Sequence, residues 1–279
     1  MNFAPPRLIA TDLDGTIVPF DGGISSRTVN ALNGARAKGA IVYFVTGRPP
    51  RWLGDVIDAF GVKEVPTTIC GNGALVFDVA TNSILREDLL LPEDALEAVK
   101  RLRGHIVDAS FACDLGDDFR REKRYHARWD VGMDVAGVEA IEEVIDRPIL
   151  KLLTRCATEA LSSDEMLQIA REQISDFVDV THSNPEDSLL EISAFGVNKG
   201  STLARMAATH GLSAADCVAF GDNPNDVSML KWAGRSWAMA GGHRDATLAA
   251  NSLAATCEED GVAQVIEELF GLDRLDGPA

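Results

Sequence analysis

The sequence predicts an α/β fold: a parallel sheet core built from both ends of the chain, with a second α+β unit inserted between them. Two observations predict it. Toward both ends, short apolar runs alternate with amphipathic helical patterns, whereas from about residue 81 to residue 186 the charges are denser and the apolar runs shorter. Three polar clusters also stand at the C-terminal ends of predicted strands, where a parallel sheet opens its ligand crevice.

Residues 8–12 (LIATD) are an apolar run ending in Asp12. Ser25 or Ser26 can cap a helix that turns Val29, Leu32 and Ala35 inward, with Gly39 past its end. Residues 40–45 (AIVYFV) read as a strand buried on both faces and end in Thr46-Gly47-Arg48. Trp52, Leu53, Val56, Ile57 and Phe60 recur at helical spacing up to Gly61, and residues 67–70 (TTIC) run into Gly71-Asn72-Gly73. The pattern returns late, with a helix through Leu203, Met206 and Ala207, strands at 217–220 and 237–240, and a closing helix at 261–270. In the middle, residues 149–154 (ILKLLT) and 188–193 (SLLEIS) read as strands, and residues 94–102 and 164–174 as helices. These patterns place the core at 1–80 and 190–279 and the insert at 81–189. Trp52 and Trp232 read as core packing.

The chain of 279 residues suits two domains, with 46% hydrophobic and 25% charged residues. No apolar stretch reaches membrane-spanning length, and "MNFAPPRLIATD" lacks the features of a signal peptide, so a cytoplasmic protein is expected. The five scattered cysteines form no CxxC pair and are expected as buried hydrophobes. A net charge of −17 speaks against a nucleic-acid surface but leaves room for a small anionic substrate held by local cations.

The polar clusters are Asp12-Leu13-Asp14, Thr46-Gly47-Arg48 and the run from Gly221 to Asp226 (GDNPND). Singly, each reads as a turn or helix cap. Together they gather up to four carboxylates in one crevice, which requires a neutralising cation. An oxygen-rich donor set suits Mg²⁺, and Mg²⁺ points to phosphoryl transfer. One carboxylate can attack phosphorus, and a second, two residues on, can carry the proton. Thr46, nearby backbone amides and Lys199 at a helix start would supply donors and positive charge.

In this order, "DLDGT", "TGR", "GVNKG" and "GDNPND" resemble the four motifs of the haloacid dehalogenase-like hydrolases. "NGA" and the segment "EEDGVAQVIEELF" are similar to the Cof-like branch, whose cap is inserted between the second and third motifs. The resemblance implies a Rossmann-like core with an α+β cap that sets specificity. It implies a Mg²⁺-dependent phosphatase of small phosphorylated metabolites, sugar phosphates first, working through an aspartyl-phosphate. Asp12 would be the nucleophile and Asp14 the acid/base, with its carbonyl on the metal. Thr46, Gly47 and Lys199 would bind and stabilise the phosphate, together with Leu13, Arg48 and Asn225. Asp12, Asp14, Asp222 and Asp226 would form or support the metal site. "WAMAGG" departs from the branch's usual "AMGNA"-like stretch.

A phosphosugar mutase, a phospho-aspartate signalling domain and a purely structural protein remain as alternatives. Residues 119–130 (FRREKRYHARWD) form a basic island with Arg120, Arg121, Lys123, Arg124 and Arg128 beside Tyr125, His126 and Trp129. The island could close over the site and grip an anion, or it could be a solvated face paired with Glu and Asp. His126 and His182 are candidate substrate contacts. Oligomeric state is not legible.

Overall fold

The computed structural model describes residues 4–20, 22–127 and 135–274. Its first half contains β1 (Leu8–Thr11), α1 (Ser26–Ala37), β2 (Ile41–Val45), α2 (Gly54–Phe60), β3 (Thr67–Cys70), β4 (Leu75–Asp78) and β5 (Ser83–Glu87). The middle contributes α3 (Pro92–Arg103), β6 (Ala109–Asp114), β7 (Phe119–Arg121), β8 (Lys151–Cys156), α4 (Ser163–Ile174), β9 (Val178–Thr181) and β10 (Leu189–Ala194). The last part holds α5 (Lys199–Thr209), β11 (Cys217–Gly221), α6 (Val227–Trp232), β12 (Arg235–Met239), α7 (Arg244–Ala249), β13 (Ser252–Ala254) and α8 (Gly261–Phe270).

Among the described residues these strands form two sheets. The larger runs β13-β12-β11-β1-β2-β3-β4-β5 and is parallel from β13 to β3. The smaller, β7-β6-β8-β10-β9, is antiparallel. This is the Rossmann-like α/β core with a separate α+β unit that the sequence predicts.

Central β1 shows why Leu8, Ile9 and Ala10 are all apolar. Ile9 packs into the cluster that includes α1 and α8, whereas Leu8 and Ala10 pack into the one that includes α5 and α6. A strand covered on both faces has no solvent side on which to place polar residues. The smaller sheet is covered on one face by α3 and α4. Leu152, Leu190 and Ile192 turn to that face, so the period of two sends Lys151, Leu153, Leu189 and Glu191 to the other.

The expected limits of the insert are displaced at both ends. β5 lies beyond residue 80 yet pairs with β4 in the larger sheet, and β10 returns from residue 189 but pairs with β8 and β9 in the smaller. The β4–β5 extension is an antiparallel edge, which the strand–helix alternation does not encode. All five cysteines are free and buried. No helix among the described residues is long and apolar enough to cross a membrane.

Candidate active site

The ends of β1, β2 and β11 meet at one edge of the larger sheet, and α5 joins them there. Asp12 follows β1, its N–H bonded to the Phe220 carbonyl of β11. The chain then turns at Gly15, whose φ of 73° few side-chain-bearing residues adopt. A Cβ on Gly15 would also stand 2.4 Å from an Asp222 carboxylate oxygen, so only glycine lets the two loops approach. Thr16 donates its hydroxyl to Asp222 at 3.2 Å.

Lys199, the first residue of α5, is fully buried. Its ammonium donates to Asp12 at 2.7 Å and to Asp226 at 2.6 Å. Burial opposes its charge, but the Asp12 and Asp226 carboxylates outweigh that and raise its pKa. Asp12 is pushed up to about 7 by burial first and then by Asp226, against the pull of Lys199. Asp222 is raised well above the ordinary aspartate value for the same reason, burial followed by Asp226 and Asp12. Three buried carboxylates thus share one buried ammonium, and their oxygens lie within 4.8 Å of one another. The excess negative charge and all-oxygen donor set fit a hard divalent cation such as Mg²⁺. Asp226 differs from the other two: one of its oxygens receives Lys199 and the second the backbone amides of Asp222 and Asn223.

Thr46 accepts the Arg48 backbone N–H at 3.1 Å, which leaves its hydroxyl hydrogen for another acceptor. Gly47 is close to Asn72, Glu191 and Asn225, which a Cβ there would meet at 3.1, 3.4 and 3.7 Å. Leu13 buries its side chain in the core, so only its backbone can face a ligand. Arg48, expected at the phosphate, lines the same cavity as Asp12, where its guanidinium grips Asp14 through two bonds of 2.9 and 2.5 Å and reaches Asp55 at 2.7 Å. Both carboxylates belong to the core, and the planar fork suits such bidentate pairing.

A cavity of about 640 Å³ opens from Asp12, Asp14, Gly47 and Asn225 outward between the two sheets. Its far side comes from the inserted unit, through Lys151 and Leu153 of β8, Ser183, Leu189 and Glu191. Lys151 bonds the Gly47 carbonyl at 2.8 Å and Glu191 at 2.5 Å. Glu191 also accepts from Ser183 and from Asn72. A carboxylate only accepts, so Asn72 must turn its NH₂ to Glu191 and its oxygen to Asn225. Asn225 answers with its own NH₂ at 3.1 Å, leaving its buried oxygen without a hydrogen bond.

Sequence reasoning missed Lys151, Glu191 and Ser183. A signal existed, since a lysine and a glutamate inside apolar runs are out of place unless paired. Trp52, expected as core packing, is half-buried and lines the cavity.

The described part of the basic island, residues 119–127, is paired with Glu, Asp and backbone carbonyls. Arg120 pairs with Asp118 and Asp146, Lys123 with Glu139, and Arg124 with Asp108, while Arg121 donates to backbone carbonyls. Tyr125 is buried against Phe119, and the described island residues do not line the cavity. Arg128 and Trp129 lie outside the described residues. Exposed His126 is also away from the cavity. The His182 ring is buried against Asp164 at 2.8 Å, and only its carbonyl reaches the site, accepting the Asn225 N–H.

Comparison with known proteins decides what this arrangement belongs to. The family model described as haloacid dehalogenase-like hydrolase matches residues 9–266. The chain belongs to the haloacid dehalogenase-like hydrolase family. It is 29% identical over 276 residues to the 5-amino-6-(5-phospho-D-ribitylamino)uracil phosphatase of Bacillus subtilis, covering 96% of this chain and 98% of that one. It is 28% identical over 279 residues to the HMP-PP phosphatase of Yersinia pseudotuberculosis, covering 96% and 97%. The fold matches the subclass IIB sugar phosphatase BT4131 with a TM-score of 0.78 at 21% identity, covering 95% of this chain and 99% of that one. A Streptococcus mutans structure matches with a TM-score of 0.80 at 22% identity, over 95% and 99%. Within its family the chain is a phosphatase, and the inserted unit occupies the place of the cap.

Proposed function

We propose that this phosphatase is Mg²⁺-dependent and hydrolyses small phosphorylated metabolites through an aspartyl-phosphate on Asp12. The observation that carries this reading is the buried Lys199 bridging Asp12 and Asp226, beside Asp222, at the inner end of a cavity closed by the cap. The names of the two curated relatives, each a phosphatase of a small phosphorylated compound, support the substrate class.

Asp12, Asp222 and the Asp14 carbonyl would hold Mg²⁺, with Asp226 bracing the loop, and the bound ion would neutralise charge at the phosphoryl oxygens. The chain's own groups carry the chemistry. Asp12 attacks phosphorus, a bond forms from its carboxylate oxygen, and the bond to the leaving oxygen breaks. Asp14, protonated when its carboxyl parts from Arg48, gives that oxygen a proton, then takes one from the water that attacks the aspartyl-phosphate. Inorganic phosphate leaves, and both aspartates return to their starting states. The Thr46 hydroxyl, Gly47, the Asn225 amide and Lys199 hold the phosphoryl oxygens while charge moves across them.

The test is phosphate release from a broad panel of phosphomonoesters, with Mg²⁺ and with chelator. Turnover that needs Mg²⁺ and vanishes in Asp12→Asn is expected. Equal, negligible release from wild type and Asp12→Asn would remove the proposal.

A further inference from the structure

Hydrogen bonds from the cap end on the very loops proposed to hold the phosphate. Lys151 reaches the Gly47 carbonyl, the His182 carbonyl accepts the Asn225 N–H at 3.2 Å, and Glu191 accepts from the Asn72 side chain at 3.1 Å. Asn72 stands between these loops in the left-handed region, at a φ of 56°, with its own N–H on the Thr46 carbonyl. Gly47 makes room for the meeting, since a Cβ there would press on the Asn72 oxygen at 3.1 Å.

The bonding admits one orientation of both amides. Burial opposes the charge on Glu191, but Lys151 and the Ser183 hydroxyl outweigh it and lower its pKa, so the carboxylate only accepts. Asn72 therefore gives its NH₂ to Glu191 and its oxygen to Asn225, which answers with NH₂. The Asn225 oxygen is left buried and unbonded. Turning both amides over would pair that oxygen, yet it would set the Asn72 oxygen against the Glu191 carboxylate. An unpaired buried acceptor is uncommon and calls for a reason. Asn225 lines the cavity, and the amide hydrogen it does not give to Asn72 is what it has left for a phosphoryl oxygen.

We propose that Glu191 of the cap is a positioning residue for the phosphate site: through Asn72 it fixes which end of the Asn225 amide meets the phosphoryl group. This rests on the phosphatase reading and adds to it a residue that acts through another. With Leu at 191 both amides are free to turn over, and Asn225 then presents an oxygen to the phosphate in place of an N–H.

The test compares Glu191→Gln with Glu191→Leu, with Mg²⁺, in phosphate release from the fastest ester of the panel and in inhibition by inorganic phosphate. Both variants leave Lys151 without its counter-charge. Gln alone keeps the acceptor, because the Lys151 ammonium only donates and holds the Gln oxygen where it also receives Asn72. The expected kcat/KM is at least about tenfold higher in Glu191→Gln, with inorganic phosphate inhibiting Glu191→Leu at least about tenfold more weakly. Partial unfolding removes active protein but does not move an inhibition constant. Asn72→Gly suits the left-handed backbone, leaves the Lys151–Glu191 pair whole and should match Glu191→Leu. Asn225→Ala should weaken phosphate inhibition at least about tenfold in wild type and less than about twofold in Asn72→Gly. Equal phosphate inhibition of the Gln and Leu variants, or an undiminished effect of Asn225→Ala in Asn72→Gly, would overturn this inference and leave the phosphatase reading intact. No release by wild type from any ester of the panel would sink the phosphatase reading, and this inference with it.

Discussion

Asp12 sits where two requirements conflict. The nucleophile role proposed for it requires an ionised carboxylate, yet burial and Asp226 raise its pKa from 3.8 to about 7. In metal-free protein, ionising Asp12 therefore costs stability. The cost is absent below the unfolded value, grows as pH rises through the window between 3.8 and about 7, and is full above it. Thermal melts in chelator should show Asp12→Asn gaining on wild type as pH rises from about 5 to about 8, and Mg²⁺ should erase the gain. A gain independent of pH would contradict this. Asp14 faces the cavity under the grip of Arg48, and Asp14→Asn should lower kcat by about 10²–10⁴-fold as phospho-enzyme formation and breakdown both slow. The aspartates were legible because strand ends and short spacings are local. The burial of Lys199 was not, because its partners are 187 and 27 residues away and no spacing rule connects them.

At the level of elements, β8 and β10 place Lys151 and Glu191 on the face that looks toward the core, and the pair is almost fully buried. Removing one partner of such a pair strands the other charge. Glu191→Ala should destabilise the protein by about 3–5 kcal/mol in denaturant unfolding. Replacing both residues with apolar ones should recover much of that loss while leaving the Asn72–Asn225 amides unanchored, so stability and activity should separate. These strands were readable from their apolar runs. Which sheet β10 joins was not, because pairing partners follow from the whole topology rather than from the segment. The same holds for β4 and β5, whose antiparallel edge follows three parallel strands.

Across the whole molecule, cap and core are tied at several points. Arg51 bonds Asp114 twice at 2.8 Å, Lys151 and Glu191 reach Gly47 and Asn72, and His243 of the core shares Asp164 of α4 with His182. The His243 Nδ1 accepts the Asp245 N–H, so its proton sits on Nε2 and is donated to Asp164. Arg51→Ala should loosen the cap, with faster amide exchange in β6 and β8 and a changed KM and kcat together. Unchanged exchange would show that this pair does not hold the cap. The two-unit plan was visible in the shift of charge density along the chain. The cavity between the units was not, since its walls come from segments more than a hundred residues apart. The proposed function rests on Asp12 as nucleophile, and trapping the intermediate tests that most directly. Wild type turning over a labelled phosphomonoester with Mg²⁺, quenched in acid and digested, should carry the phosphoryl label on the peptide containing Asp12, and Asp12→Asn should carry none. Turnover without that label, or with the label on another residue, would contradict the account.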